Sequence, residues 1–306
     1  MKLLFYGTPA FALPAFDALR RRHDIVAVIT QPDRPAHRGQ RVTSPPVKQA
    51  AVAAGLPVLQ PPRLRDPGWP ERLAAYGADL AVVVAFGQIL PKAVLDTPAR
   101  GSINIHASLL PRYRGAAPIQ WAIIRGETQT GITTFKMDEG MDTGDVLLMR
   151  SAPIGPEETA GELSERLSRL GAEVIVETLD RLDTLTPTAQ DHAAATSAPR
   201  LKKTDGVIDW RGRAADIVNL VRGCHPWPGA TTSAPGGTLT IWRARALPAA
   251  RAAPGTLVAS DGTVAIATAD GVLLPVEVQP ENRRAMSWAE YLRGARLVEG
   301  TRVGAP

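Results

Sequence analysis

The chain has 306 residues, 44% of them hydrophobic and 21% charged, with 35 Lys and Arg against 30 Asp and Glu, a net charge of +5. That length suggests two domains at roughly 100–200 residues each, and the composition excludes a disordered or fibrous chain. A lone cysteine, Cys224, excludes an intrachain disulfide and a thiolate-based zinc site, and no apolar run approaches the roughly 18 residues of a membrane helix.

Residues 2–6 form a short apolar run that Gly7-Thr8-Pro9 interrupts, so the run is too short for a secretion leader and a cytoplasmic location is expected. A helical pattern follows to Arg22, then a β-branched run over 24–30 (DIVAVIT) and a polar stretch rich in Pro and Arg over 31–46. Residues 47–54 read as helix, 57–60 as a short strand and 69–76 as helix. The run at 79–86 (DLAVVVAF) is the strongest strand, apolar without interruption, as in a strand buried on both faces. Further strands are expected at 101–106, 131–137 and 146–154, with a helix over 117–125. A long amphipathic helix fills 159–182, with Thr159 as N-cap and Glu162 three residues on in a capping-box pattern. Alternating strands and helices imply a doubly wound, mostly parallel Rossmann-like α/β sheet over residues 1–184. Residues 185–205 lack apolar periodicity and read as a linker. After it, 206–306 holds short alternating segments, at 237–244, 255–259, 263–268 and 272–278, spaced by Gly and Pro, as in a small all-β barrel or sandwich.

The opening strand–Gly–helix unit resembles a dinucleotide site, but only Gly7 of the G-x-G-x-x-G set is present and Pro9 removes an amide donor. The charge is uneven: 14 basic against 9 acidic residues lie in 199–306, and 21 against 21 in 1–198. A basic second domain raises the local concentration of a polyanion.

Chemistry concentrates between Ile103 and Asp145. Asn104 and His106 lie two apart on one strand, so they share a face, and the strand ends where ligands bind in open α/β sheets. A side-chain amide beside an imidazole can bind one developing oxyanion, and the imidazole can exchange a proton. Asp138, Glu139, Asp142 and Asp145 follow on a Gly-rich turn and supply carboxylates to set the imidazole's charge. Ser108 lacks a nucleophile-elbow context, and one usable His among scattered Asp gives no metal-ligand spacing.

The segments INIHASLLPRYRGAAPIQWAI and GITTFKMDEGMDTGD are similar to those of the formyltransferase family that uses 10-formyltetrahydrofolate. That resemblance implies a catalytic trio of Asn104, His106 and Asp142, with Asp145 left to brace the turn. It implies a folate site at Ser108, Leu109, Leu110 and Pro111 and at Phe86, Gly87, Gln88, Ile89 and Leu90, the latter acting mainly through the backbone. It implies 10-formyltetrahydrofolate as the formyl donor, no metal, and a monomer. GTPAFALPAF, TQPDRPAHRG and IDWRGRAADIVNLVRGCHPWPGA are similar to the branch of the family whose acceptor is initiator methionyl-tRNA.

For that acceptor the resemblance implies contacts from Arg34, Arg38, Arg41 and Lys48 in the Arg-rich stretch, with His37 departing from the Gly of the family pattern. The resemblance also implies that the second domain is an OB-like barrel, near whose entrance Lys202, Lys203, Arg211 and Arg213 would meet the tRNA backbone, while Trp227 is expected to pack rather than stack. Three relatives share the trio and stay open: glycinamide ribonucleotide formyltransferases, nucleotide-sugar formyltransferases and formyltetrahydrofolate hydrolases. The first typically lack the Arg-rich insert and the barrel, and the second the QPDRPAHRG segment.

Overall fold

A computed structural model of the chain describes residues 1–36, 41–248, 252–260 and 262–304. It divides into two compact units, one of Met1–Pro118, Gln129–Pro153 and Ser164–Pro199 and one of Ile119–Thr128, Ile154–Leu163 and Arg200–Pro306. Among the described residues no helix is long and apolar enough to cross a membrane.

The strands of the first unit are β1 (Lys2–Gly7), β2 (Asp24–Ile29), β3 (Arg34–Ala36), β4 (Arg41–Thr43), β5 (Val58–Leu59), β6 (Leu80–Val84), β7 (Ser102–His106), β8 (Gln129–Lys136) and β9 (Val146–Pro153). Seven of them form one sheet in the order β5-β2-β1-β6-β7-β8-β9, and β3 and β4 pair as a separate hairpin. β5, β2, β1, β6 and β7 run parallel, while β8 and β9 are antiparallel additions at one side. The helices are α1 (Leu13–Arg20), α2 (Pro46–Ala53), α3 (Trp69–Ala74), α4 (Lys92–Leu95), α5 (Pro118–Ile124) and α6 (Ala160–Asp180). The expected doubly wound, mostly parallel sheet is what the chain forms.

Burial explains the central strands. Every residue of β6 (LAVVV) is buried, as its uninterrupted apolar run requires of a strand covered on both faces. Successive residues of β1 feed opposite faces, and the aromatic pairs record it. Tyr6 meets Phe86 edge-on at 5.4 Å, while Phe5 packs on Phe16 of α1 at 5.3 Å. The alternation carries polar residues to fixed places too: His106, at the carboxyl end of β7, is 6% exposed.

In the second unit α7 (Ala214–Gly223) precedes β10 (Ala230–Ala234), β11 (Gly237–Leu247), β12 (Leu257–Ser260), β13 (Thr263–Ala267), β14 (Val272–Pro280), β15 (Met286–Ser287) and α8 (Trp288–Ala295). The strands form an antiparallel sheet in the order β10-β11-β14-β13-β12, with β15 paired to β14. Ile217 and Val221 of α7 and Trp288 and Tyr291 of α8 join the core with Leu239, Ile241, Leu257, Ile266, Leu273 and Val278 of the sheet.

Three features depart from the sequence reading. The second unit contains α7 and α8 beside its strands; Ala214, Ile217 and Val221 already lie at helical spacing, and Ser287 and Glu290 form a capping box. The unit also draws in residues from the first 184, for Ile154 donates to Thr128 O and Arg222 to the carbonyls of Gly155 and Glu158. Residues 185–199, read as linker, are fixed to the first unit by main-chain bonds, Val146 with Thr188 and Arg114 with Thr196 and Ala198. A segment can lack periodicity and still be tied down where its backbone finds partners.

The expected cap of α6 is present. Thr159 N–H donates to Glu162 Oε2 at 2.8 Å, and Glu162 N–H donates to Thr159 Oγ1 at 3.3 Å. The Thr159 backbone N–H, then the Arg243 guanidinium, hold the Glu162 carboxyl down to about 2. Thr159→Ala is expected to cost about 1 kcal/mol, read as a lowered urea midpoint at pH 7. Because the carboxyl is depressed on folding, the Glu162 share is complete above its ordinary value of 4.5 and is lost as pH falls toward about 2. Glu162→Gln flattens that limb of the stability–pH curve.

Candidate active site

β6 and β7 run side by side with Val83 opposite Asn104, and β1 pairs Gly7 with Val84, so three strand ends lie together at the carboxyl edge of the sheet. Thr8 Oγ1 ties two of them, donating to Phe86 O at 2.8 Å, and the Gln31 amide donates to the same carbonyl at 3.3 Å.

At this edge Asn104 and His106 project from one face of β7. The His106 ring sits between two acceptors. Its Nε2 donates to the carbonyl of Tyr113 at 2.9 Å, because a carbonyl can only accept, and this fixes the proton on that nitrogen. Nδ1 lies 3.6 Å from Asp142 Oδ2, too long for a hydrogen bond. Nδ1 is therefore the edge left for chemistry. Asp142 Oδ2 also accepts the Gly115 N–H at 2.8 Å, and the Asp142 side chain is 14% exposed. The half-buried Asn104 amide is hydrogen-bonded by none of the described residues. The structure thus brings Asp142 to His106 and leaves the Asn104 donors uncommitted.

Backbone strain gathers here. Five described non-glycine residues have φ above zero, and two of them, Tyr113 (+60°) and Asp142 (+55°), supply the atoms that face His106. A third, Ala85 (+46°), turns the chain out of β6. Such conformations cost about 1–3 kcal/mol each and persist where the surroundings enforce them.

The segments expected to hold a folate divide by role. Ser108 is fully buried and spends its hydroxyl on Arg112 O, while its carbonyl accepts from Thr133 Oγ1. Leu110 is buried, Leu109 is half-buried, and Pro111 follows Leu110 through a cis peptide. Phe86 and Leu90 belong to the core, and the Gln88 side chain holds residues 61–64 through Pro61 O and Leu64 N–H. Ile89 is 78% exposed. The main-chain groups of Gly87, Gln88, Ile89 and Leu90 have no hydrogen-bond partner among the described residues. That run of open amides and carbonyls beside β7 suits a flat heterocycle with donors and acceptors on its edge.

The expected basic contacts also sort. Arg34 is exposed and donates to the Gln31 carboxamide, and its charge is compensated by no acid among the described residues. Lys48 is bound at 2.6 Å to Asp33, whose carboxyl it holds below the usual range. Arg38 and His37 lie outside the described residues, and of Arg41 only the backbone is described, in β4. Lys202 and Lys203 are exposed. Arg211 is clamped by both oxygens of Asp209, whose carboxyl it pulls down to about 2, and Arg213 pairs with Asp270. Trp227, expected to pack, is 48% exposed. Asp145 braces its turn through its carbonyl, which accepts the Lys136 N–H, while its side chain is exposed.

Sequence reasoning missed Gln190, Arg114 and Gly115, which hold the Asp142 turn in place. The glycine carried a signal: R-Y-R-G follows the histidine strand, and Gly115 takes φ +121° with Ala198 O 2.7 Å from where a Cβ would stand.

A family model described as formyl transferase matches residues 1–179, and one described as formyl transferase, C-terminal domain, matches 200–296. The chain is 50% identical to a methionyl-tRNA formyltransferase of Solibacter usitatus and 50% identical to that of Geobacter metallireducens, over 99% of this chain and 99% of each relative. Among solved structures it resembles an N-formyltransferase from Helicobacter canadensis in complex with folinic acid and dTDP-3-aminofucose. The TM-score is 0.65 at 18% identity, over 90% of this chain and 98% of that one. HypX from Aquifex aeolicus, in complex with tetrahydrofolic acid, matches at TM-score 0.62 and 19% identity, over 96% of this chain and 47% of that one.

The turn that carries Asp142 admits no side chain at Gly144, where a Cβ would stand 1.7 Å from Lys136 O. Gly144→Ala is expected to cost about 3 kcal/mol or more, read as a loss of thermal stability, whereas exposed Asp145→Ala stays near the parent value.

Proposed function

The chain belongs to the formyl transferase family, and from that premise we propose that it transfers the formyl group of 10-formyltetrahydrofolate to the α-amino group of methionine on initiator methionyl-tRNA. The observation that carries the chemistry is the His106 ring, anchored at Nε2 by Tyr113 O and facing Asp142 through Nδ1, with the Asn104 amide uncommitted on the same strand face. Half identity to two methionyl-tRNA formyltransferases over nearly the whole chain supports the acceptor.

The folate supplies an activated formyl carbon on N10, and the open main-chain groups of Gly87–Leu90 fit the edge of its pterin. The other work falls to this chain's side chains. As the methionine nitrogen bonds to the formyl carbon, negative charge grows on the formyl oxygen, and the Asn104 amide and His106 Nδ1–H are the donors that meet it. The Asp142 carboxylate faces the Nδ1 edge at 3.6 Å, and the Gly115 N–H it accepts keeps it from swinging away. The bond from carbon to N10 then breaks, and the proton lost by the amine passes to N10.

The acceptor is held by charge in each unit separately. Arg34, Arg38 and Arg41 belong to the first unit, and Lys202 and Lys203 open the second, whose sheet we assign to the OB-like class. Lys48 and Arg211 carry less of this work, because Asp33 and Asp209 already neutralise them. The same reading puts the protein in the cytoplasm, acting as a monomer.

Transfer of labelled formyl from 10-formyltetrahydrofolate to charged initiator tRNA tests the assignment, against free methionine and glycinamide ribonucleotide; preference for a small acceptor overturns it. Asn104→Ala and His106→Ala are each expected to lower kcat about 100- to 1000-fold with little change in tRNA affinity, and near-normal turnover in either sinks the trio. In titrations of tRNA binding against salt, Lys203→Ala should reduce the slope of log affinity by about 1, and Arg211→Ala by less.

A further inference from the structure

The pairing of the sheet does not itself deliver Asp142 to His106. β8 is antiparallel to β7 with Thr133 opposite His106, so the ladder leads the chain away until Met137 N–H donates to Ser102 O. The turn that follows must return alongside β7, which spans about 13 Å over the four steps from Ser102 to His106. Strand pairing guides none of that return.

Gln190 meets the turn from residues 185–199. It is 7% exposed, and its Nε2 donates to the carbonyls of Asp142 at 2.9 Å and Gly144 at 2.7 Å. Its Oε1 accepts from Arg114 Nη2 at 2.6 Å and Nε at 3.2 Å. The amide has one orientation: reversed, it would set its oxygen against two carbonyl oxygens and its NH2 against a guanidinium. Arg114 stands between Tyr113, whose carbonyl anchors His106, and Gly115, whose N–H holds the Asp142 carboxylate. One tripeptide therefore touches the imidazole, the carboxylate and the glutamine that fixes the carboxylate's own backbone.

We propose that Gln190, oriented by Arg114, is a positioning residue for formyl transfer, setting the main chain of the turn so that the Asp142 carboxylate stands against His106 Nδ1. This rests on the reading of His106 and Asp142 given above. Gln190 touches no substrate; it acts through the backbone of Asp142.

Two variants test it. Gln190→Ala removes every bond, and Gln190→Glu keeps the size and the Arg114 contact but offers no donor to the two carbonyls at neutral pH. Both are expected to lower kcat roughly 10- to 100-fold, with KM for folate and for tRNA within about twofold and a melting transition that, although lowered, stays above the assay temperature. Arg114→Ala should show the same split, and the Gln190→Ala/Arg114→Ala double variant should lose no more than the worse single one, as for residues acting as a unit. Asp191→Ala, which removes only the cap on Ala193 N–H, should keep the parent kcat. A kcat within twofold of the parent in both Gln190 variants, or a loss confined to KM, overturns the proposal. Asp142→Asn separates the two claims. If it abolishes turnover while the Gln190 variants keep theirs, the positioning role alone fails; if it keeps turnover, the reading of Asp142 fails and this proposal with it.

Discussion

The placement of one imidazole between two oxygen acceptors is the constraint on which this site depends. The carbonyl of Tyr113 holds Nε2, and the carboxylate of Asp142 faces Nδ1 at 3.6 Å. Neither acceptor comes from the strand that carries His106. One arrives on the loop after β7 and the other on the turn between β8 and β9, and both residues have φ above zero. The strain at each is local and the bonds that offset it are distributed: Tyr113 N–H to Thr196 Oγ1, Gly115 N–H to Asp142, and Gln190 to the turn. Unfavourable backbone at a functional edge stands only where the rest of the unit over-determines it.

That economy explains why polar side chains near the edge differ so much in their freedom. The side chains of Ser108, Thr8, Gln31 and Gln88 are committed to carbonyls and amides of the fold, and so they shape the edge. Asn104 is the exception, a half-buried amide with no partner among the described residues. An unpaired polar group at a partly buried position costs stability unless something else satisfies it, and under the function proposed above that partner is the reacting oxygen.

Much of the scaffold was legible in the sequence because its signals are short-range. The all-apolar β6, the alternation of strand and helix, and the Thr159–Glu162 box each state their outcome within a few residues. Asn104 and His106 were legible as a pair because a strand has period two. The roles of Gln190, Arg114 and Gly115 were not, since they depend on a turn that returns along β7 and on Gln190, 76 residues from Arg114 in a segment whose composition looks like a tether. α7 and α8 carried readable patterns, but the turn-rich strands around them suggested an all-β unit. Lys48 and Arg211 show the limit from the other side, because a residue type in a basic stretch does not reveal the acid that neutralises it.

The bond from His106 Nε2 to the Tyr113 carbonyl has a consequence for the path of protons. A histidine with both edges open can take a proton on one side and release it on the other, acting as a conduit through its ring. Here one edge is closed, because its hydrogen is committed to an acceptor that offers none in return. Traffic must enter and leave at Nδ1. Under the transfer proposed above, the formyl oxygen must therefore approach the Nδ1 edge, which confines the reacting carbon to the side of the imidazole that Asp142 faces.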